Sequence, residues 1–292
     1  MTNLGLVIYS MKKIKGLFRL IRFELPLAAA ICVVLGQLFA LGYFSSLHLI
    51  LKAALSVFLI SASILVLNDY FDIETDKINA PQRPIPSGIV TPNETLLLAF
   101  VLLISGIILS FAISIEALLF SIVLTVIGLL YNRKFKKHGL AGNLMVSFSV
   151  GMTFIFGGLS VGLPLNKVVL FFALIAALVD LGEEIAADAM DVKGDLLIDS
   201  NSIAIKYGKE KALKLSASIF VLVIILSLIP FLINWFNMIY LFPIAVMDIF
   251  IGFSTYNLFK SKDEKGRKYI RMLYLGATLG LLIFLFMRLA GI

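Results

Sequence analysis

Residues 68–76 read NDYFDIETD and residues 188–195 read DAMDVKGD, so the pattern Asp-x-x-Asp-x-x-x-Asp occurs twice. We call these stretches motif one and motif two. Spacings of three and four residues place side chains on one face of a helix, where like charges repel. A hard divalent cation with oxygen ligands relieves that repulsion. A solvated helix end would explain either stretch alone, but the recurrence of the spacing indicates two metal-binding motifs.

The composition is that of a polytopic membrane protein. Of the 292 residues, 60% are hydrophobic and only 15% are charged, whereas a soluble domain carries roughly 45–50% apolar and about 25% charged residues. The single cysteine, Cys32, lies in an apolar run, so a disulfide within the chain is excluded. The apolar runs leave no room for a soluble domain between them.

Nine apolar runs are long enough to span a membrane, which takes about 20 residues. The sequence therefore predicts an all-α bundle of nine transmembrane helices that forms one domain over residues 1–292. The runs are 23–43, 49–69, 95–114, 117–132, 142–162, 166–187, 212–232, 237–259 and 271–290.

The distribution of basic residues predicts the orientation of the bundle. All but Lys52, Lys167 and Arg288 of the 25 Lys and Arg residues fall on the N-terminal side of the membrane or just inside it. Cytoplasmic loops carry such an excess, so we expect the N-terminus and both motifs to face the cytoplasm of a multi-pass cell-membrane protein. This placement explains the net charge of +7 without a nucleic-acid partner.

Motif two extends backwards into the membrane through Asp180 and Glu184. Ionisable groups at such depth are usually functional. Each motif also runs into a loop with proline or glycine, residues 80–88 and 194–208, which interrupts the helix. Such loops can close over a site as lids.

A third cytoplasmic segment, residues 131–138, reads YNRKFKKH and holds four basic residues in five positions. It is either a topology signal, a contact for anionic lipid headgroups, or a phosphate-binding element beside the metals. The sequence leaves these alternatives open.

Two facing carboxylate clusters are suited to Mg²⁺, which binds proteins through few carboxylates and often shares its coordination with substrate phosphates. A site that opens into a membrane bundle favours a substrate whose remainder is apolar, and a prenyl diphosphate fits both requirements. Metal ions would stabilise the diphosphate leaving group. Some of the 24 Phe and nine Tyr residues would offer aromatic faces to an allylic cation.

Motif one resembles the N-D-x-x-D-x-x-x-D motif of the UbiA superfamily of intramembrane aromatic prenyltransferases, and motif two is similar to that superfamily's second aspartate-rich motif. Tyr131 with Lys134 or Lys136 resembles its tyrosine–lysine loop motif. Residues 68–88 look most like the archaeal lipid branch. This resemblance implies transfer of a geranylgeranyl group from its diphosphate to the hydroxyl of geranylgeranylglyceryl phosphate, with Mg²⁺ as cofactor, in membrane ether-lipid synthesis.

The resemblance also implies roles for individual residues. Tyr131 would stabilise the departing charge or the cation, and Asp191, Tyr131 and Lys134 are the candidate catalytic residues. The implied ligands are Asn68, Asp69, Asp72 and Asp76 for one Mg²⁺ and Asp188, Asp191 and Asp195 for the other. The implied contacts for the diphosphate or for the acceptor's phosphate are Arg22, Arg83, Arg133, Lys134, Lys136 and Lys193.

Two other functions compete with this interpretation. Prenylation of an aromatic quinone or haem precursor would use the same metal chemistry with a different acceptor. A cation transporter could use Asp180, Glu184 and Asp248 as relay groups. Transport usually involves inverted repeats and a midplane site, whereas here both motifs follow spans of the same orientation and cluster at one surface.

Overall fold

The computed structural model describes residues 3–192, 196, 199–261 and 263–292, and every regular element within them is helical. This confirms the predicted all-α class. The α-helices are α1 Asn3–Ile21, α2 Glu24–Leu41, α3 Leu47–Phe71, α4 Ile73–Asn79, α5 Pro92–Phe111, α6 Ile115–Leu130, α7 Leu140–Ser160, α8 Lys167–Met190, α9 Ile203–Tyr207, α10 Lys209–Ser227, α11 Ile229–Leu232, α12 Leu241–Lys260 and α13 Asp263–Leu289.

Eight helical segments among the described residues are long and apolar enough to cross a membrane, so the protein is a multi-pass membrane protein. They are Glu24–Leu41, Leu47–Phe71, Pro92–Phe111, Ile115–His138, Leu140–Ser160, Lys209–Leu232, Met238–Lys260 and Lys265–Leu289. The predicted run 166–187 is also helical, as α8, but four acidic residues in its second half make it too polar for this set. The count of nine spans therefore stays a prediction.

Local sequence signals fix where several helices begin. Thr91 accepts a hydrogen bond from the backbone N–H of Glu94, whose side chain accepts one from Thr91 in return, and Pro92 occupies the first turn. This capping box satisfies backbone donors that the helix leaves unpaired. Ser46 and Ser114 cap α3 and α6 in the simpler way, each accepting from a backbone N–H three residues later.

The chain divides into two compact units. The first comprises residues 1–134 and 155–166, and the second comprises residues 135–154 and 167–292. The helix α7 contributes its N-terminal part to the second unit and its C-terminal part to the first. That residues 1–292 form a single domain stays a prediction.

In the first unit α3 packs against α1, α2, α5 and α6. Serine hydroxyl groups link α3, α5 and α6. The Ser110 hydroxyl oxygen lies 2.6 Å from that of Ser56 and 2.7 Å from that of Ser121. Hydroxyl groups of this kind bond helices together where lipid offers no alternative partner. The N-terminal segment forms α1, whose Leu20 is fully buried beside Ile85 of the loop after motif one.

In the second unit α8 packs against α10 and α13. The contact with α10 is close, because a Cβ atom on Gly182 would come within 2.7 Å of the Phe220 ring. The Ser216 hydroxyl donates a 2.6 Å hydrogen bond to the Gly182 carbonyl. This packing holds the C-terminal half of α8, which carries the acids that precede motif two.

Candidate active site

Motif one lies where α3 ends and α4 begins. Asn68 and Asp69 occupy the last turn of α3, Asp72 joins the two helices, and Asp76 lies in α4. The Asp72 backbone N–H closes the last turn on the Asn68 carbonyl at 3.0 Å. The motif is therefore not the single helical face that its spacing predicts, because the helix is interrupted at its central aspartate.

Two arginines hold the carboxylates of motif one. Arg22 donates to Asp69, and Arg83 lies 2.6 Å from an Asp76 oxygen and 3.6 Å from an Asp69 oxygen. Arg22 lies between α1 and α2 with a φ of 49°, a left-handed conformation that is uncommon outside glycine. The structure thus brings together four predicted site residues from three segments of the first unit.

Burial and neighbouring charges together set the electrostatics of this cluster. Burial raises the pKa of the Asp76 carboxyl, Arg83 opposes the shift, and Asp72 and Asp69 add to it. The pKa of Arg83 is raised by the same three acids, although its burial acts in the opposite direction. Carboxylate oxygens such as those of Asp69, Asp72 and Asp76 are hard donors of the kind that Mg²⁺ prefers.

The tyrosine–lysine segment lies beside motif one through Asn132. The Asn68 side-chain amide donates to Asn132 Oδ1 at 2.9 Å, and Asn132 Nδ2 donates to the Ile64 carbonyl at 3.0 Å. The side-chain Oδ1 of Asn68 is then the atom that would serve as a metal ligand. The segment Tyr131–Phe135 is a π-helical turn, a form frequent at functional sites.

The side chains of this turn differ in their exposure to solvent. Tyr131 is half-buried and Asn132 is buried, whereas Arg133 and Lys134 are exposed. In the second unit, Lys136 interacts electrostatically with Glu184 and Asp188 of α8.

Motif two begins in the last turn of α8. Asn143 of α7 donates a 2.9 Å hydrogen bond to an Asp188 oxygen, and Ser147, one turn further along α7, lies 2.9 Å from an Asp180 oxygen. Asn143 and Ser147 are four residues apart and therefore lie on one face of α7. From that face they contact two acids of α8. Such outer contacts orient carboxylate ligands.

Asp191 follows α8 and forms an ion pair with Arg267 of α13. The predicted site residues Lys193 and Asp195 lie outside the described residues. Within the described part of the chain, no three acidic, histidine or cysteine side chains converge closely enough to hold a metal ion. Asp69, Asp76 and Asp191 each form an ion pair with an arginine.

Sequence reasoning missed several residues that support the acids. Asn143 and Ser147 carry a usable signal, because two hydrogen-bonding side chains spaced four apart in an apolar span point the same way. The sequence marks Asn132 only as a member of the basic segment 131–138 and gives no sign of its contacts with α3. Arg267 had no local signal, because 76 positions separate it from Asp191.

Comparison with known proteins places the chain in a family. The sequence profile of the UbiA prenyltransferase family matches residues 29–287. The digeranylgeranylglyceryl phosphate synthase of Methanocaldococcus jannaschii is 35% identical over 255 residues, which cover 87% of this chain and 89% of that protein. The synthase of the same name from Saccharolobus solfataricus is 35% identical over 275 residues, 93% of this chain and 96% of that one.

Solved structures agree in fold. A digeranylgeranylglyceryl phosphate synthase structure aligns with a TM-score of 0.70 at 34% identity, covering 93% of this chain and 97% of that one. A UbiA homolog from Aeropyrum pernix K1 aligns with a TM-score of 0.80 at 17% identity, covering 90% and 98%. At that identity the likeness shows the fold alone. Together with the two acidic motifs, these matches show that the chain belongs to the UbiA prenyltransferase family.

Proposed function

We propose that the protein transfers a geranylgeranyl group from its diphosphate to the hydroxyl of geranylgeranylglyceryl phosphate and releases diphosphate. The observation that carries the chemistry is the motif-one cluster of Asp69, Asp72 and Asp76 beside Arg22 and Arg83. The acceptor follows from the relatives, which at 31–35% identity carry the name digeranylgeranylglyceryl phosphate synthase. The product would be a precursor of archaeal membrane ether lipids, which are phospholipids.

The metal sites would be Mg²⁺ sites. Asn68, Asp69, Asp72 and Asp76 would hold one ion, and Asp188 and Asp191, with Asp195, would hold the other. Bound Mg²⁺ supplies charge stabilisation to the diphosphate leaving group. A UbiA homolog from Archaeoglobus fulgidus was solved with GPP and Mg²⁺ and aligns with a TM-score of 0.67 at 18% identity, covering 92% of this chain and 99% of that one.

The chain's basic residues would bind the phosphates of donor and acceptor. Arg22 and Arg83 already lie against the motif-one acids, and guanidinium groups bind phosphate oxygens bidentately. Exposed Lys134 and Arg133 would add charge, and Lys136 and Lys193 would do so beside motif two. Half-buried Tyr131 would stabilise the negative charge of the leaving group or the allylic cation.

We propose that both motifs face the cytoplasm. The positive-inside rule supports this orientation, because Lys and Arg are concentrated in the segments 70–94, 133–141 and 188–211. The donor and the acceptor would then reach the site from the cytoplasmic side of the membrane.

An acceptor screen tests the proposal. Purified protein with Mg²⁺ and labelled geranylgeranyl diphosphate is offered geranylgeranylglyceryl phosphate, 4-hydroxybenzoate or a naphthoquinone precursor in separate reactions. We expect product with the glyceryl phosphate alone. Product with only an aromatic acceptor would move the function to quinone synthesis, and no product with any acceptor would overturn the proposal.

Two variants test whether the motif aspartates are needed for turnover and not merely for folding. Asp72→Asn and Asp191→Asn should abolish turnover while the unfolding temperature in detergent stays close to that of the wild type. Glu74→Gln is the matched control, because Glu74 lies between the motif aspartates but is exposed and pairs with Lys77 at 2.7 Å. Full activity in both aspartate variants would exclude the two-metal interpretation.

A further inference from the structure

The second unit has an open groove that is lined by residues of the segments 138–140 and 201–215. Its volume is about 440 Å³, within the range of small-molecule sites. We call it the lysine groove; its lining residues include His138, Leu140, Asn201, Lys206, Lys211 and Leu215. None of these residues has a role in the prenyl-transfer chemistry proposed above.

The floor of the lysine groove is fixed by backbone contacts. The Asn201 backbone N–H donates to the Lys137 carbonyl at 2.9 Å. Gly139, at a φ of +58°, approaches the Asn201 carbonyl so closely that a Cβ atom would lie 2.2 Å from its oxygen. Only glycine fits that approach. Fully buried Ser202 then caps α9 by accepting from the Ile205 N–H at 3.3 Å, so the groove is formed in advance of any ligand.

The lysine groove lies where two spans meet the aqueous edge of the membrane. Leu140 is the first residue of α7, and Lys211 and Leu215 lie in the first two turns of α10. Leu140 is 41% and Leu215 39% exposed. Further along α7, Leu144 and Phe148 continue the exposed apolar face at intervals of four residues, which is one helical face.

The two halves of the lysine groove suit different parts of one ligand. Lys206 and Lys211 are exposed cations at its rim, and the neighbouring acid Glu210 pairs with Lys214 at 2.8 Å. Leucine side chains form its wall and lead towards the hydrocarbon region. Basic pockets between transmembrane helices bind anionic lipid headgroups. We propose that the lysine groove binds the phosphate headgroup of an anionic membrane phospholipid whose chains lie along α7 and α10.

Native mass spectrometry of the purified protein tests this proposal. Phosphatidylglycerol and phosphatidylcholine with identical acyl chains are titrated separately, and the retained lipid is counted. We expect the wild type to prefer the anionic lipid by roughly tenfold or more, because each lysine near a membrane surface contributes measurably to anionic-lipid attraction. Lys206→Gln combined with Lys211→Gln should reduce the preference to near unity. An undiminished preference in this double variant would overturn the proposal.

The matched control removes two positive charges elsewhere in the same unit. Lys214→Gln combined with Lys268→Gln should keep the preference, since Lys214 pairs with Glu210 and Lys268 lies over the Tyr269 ring. If this control also loses the preference, net charge explains the binding and the groove does not.

A further arm distinguishes a lipid from free phosphate. Glycerol phosphate should displace phosphatidylglycerol only at far higher concentration, and Leu215→Gln should weaken lipid binding while the fold is retained. Equal competition by glycerol phosphate would reduce the site to a phosphate contact and overturn the lipid assignment. The readout is lipid retention, so its result is independent of the proposed prenyl transfer.

Discussion

Arg83 is the residue on which the electrostatics of motif one depend. It contacts both Asp76 and Asp69, and burial already disfavours the ionised form of Asp76 by raising its pKa. Arg83→Gln should therefore lower the free energy of unfolding without Mg²⁺ by about 1–2 kcal/mol, since Asp76 is buried but Arg83 is partly exposed to solvent. It should also weaken binding of the prenyl donor.

Thermal unfolding in detergent, with and without Mg²⁺, checks the Arg83 prediction. Mg²⁺ should restore more stability to Arg83→Gln than to the wild type, because it replaces the missing positive charge. Lys77→Gln is the control, since Lys77 pairs with exposed Glu74 and its loss should change stability little. A variant as stable as the wild type without Mg²⁺ would contradict the argument.

Asn143 supports motif two from the neighbouring helix by donating to Asp188. Loss of a group that orients a metal ligand typically weakens metal binding about 10- to 100-fold. Asn143→Ala should accordingly raise the Mg²⁺ concentration needed for half-maximal turnover by that factor. Ser149→Ala is the control, because Ser149 bonds only to the Met145 carbonyl of its own helix in the structure. An unchanged Mg²⁺ dependence would count against the role of Asn143.

The acids were predictable at the residue scale, whereas most of their partners were not. Repeated spacing predicts that Asp69, Asp72 and Asp188 belong to acidic motifs, because like charges on one face need a common explanation, and their role as metal ligands stays a prediction. Arg267 reaches Asp191 only through the packing of α13, and no pattern near either residue indicates that contact.

At the scale of elements, the contact between α3 and α5 depends on Gly106. A Cβ atom there would lie 2.7 Å from the Ile60 side chain and 2.9 Å from the Ser56 carbonyl. The Ser56 hydroxyl also donates to the Gly106 carbonyl at 2.9 Å. Gly106→Ala should therefore destabilise the protein by about 1–3 kcal/mol through overpacking.

Gly252→Ala gives the opposite expectation, because nothing lies within 4 Å of a Cβ atom at that position of α12. Alanine should raise the free energy of unfolding there by up to about 1 kcal/mol through its helix propensity. Chemical unfolding of both variants in the same detergent compares them. Equal effects would show that close helix approach does not determine stability at Gly106.

The helix positions could be predicted from the sequence, because an apolar run of about 20 residues is enough to indicate a membrane-spanning helix. All nine predicted runs contain a helix. The interruptions were less predictable. In the π-helical turn at Tyr131–Phe135, the buried Asn132 side chain donates to the Ile64 carbonyl of α3 and accepts from Asn68 of α3. Such contacts produce no periodic pattern in the sequence. Helix α1 was not predicted, because Lys12, Lys13, Lys15 and Arg19 interrupt its apolar residues.

At the scale of the whole molecule, the orientation in the membrane can be tested with single cysteines. Cys32→Ser removes the only native cysteine, which is buried. In that background, Lys77→Cys should react with an impermeant maleimide only after cells are opened, because the positive-inside rule places motif one in the cytoplasm. Leu163→Cys, between α7 and α8, should react in intact cells. The reverse pattern would invert the proposed topology.

The arginine contacts of motif one also bear on the order in which ligands arrive. Arg22 holds one oxygen of Asp69 and Arg83 holds one oxygen of Asp76, and each arginine would release that oxygen to bind the diphosphate of a donor. They do so at least cost when phosphate oxygens replace the carboxylates as their partners, since both interactions are charge-assisted. Donor capture would then be an exchange of partners, in which phosphate takes over the arginines and leaves Asp69 and Asp76 to hold Mg²⁺.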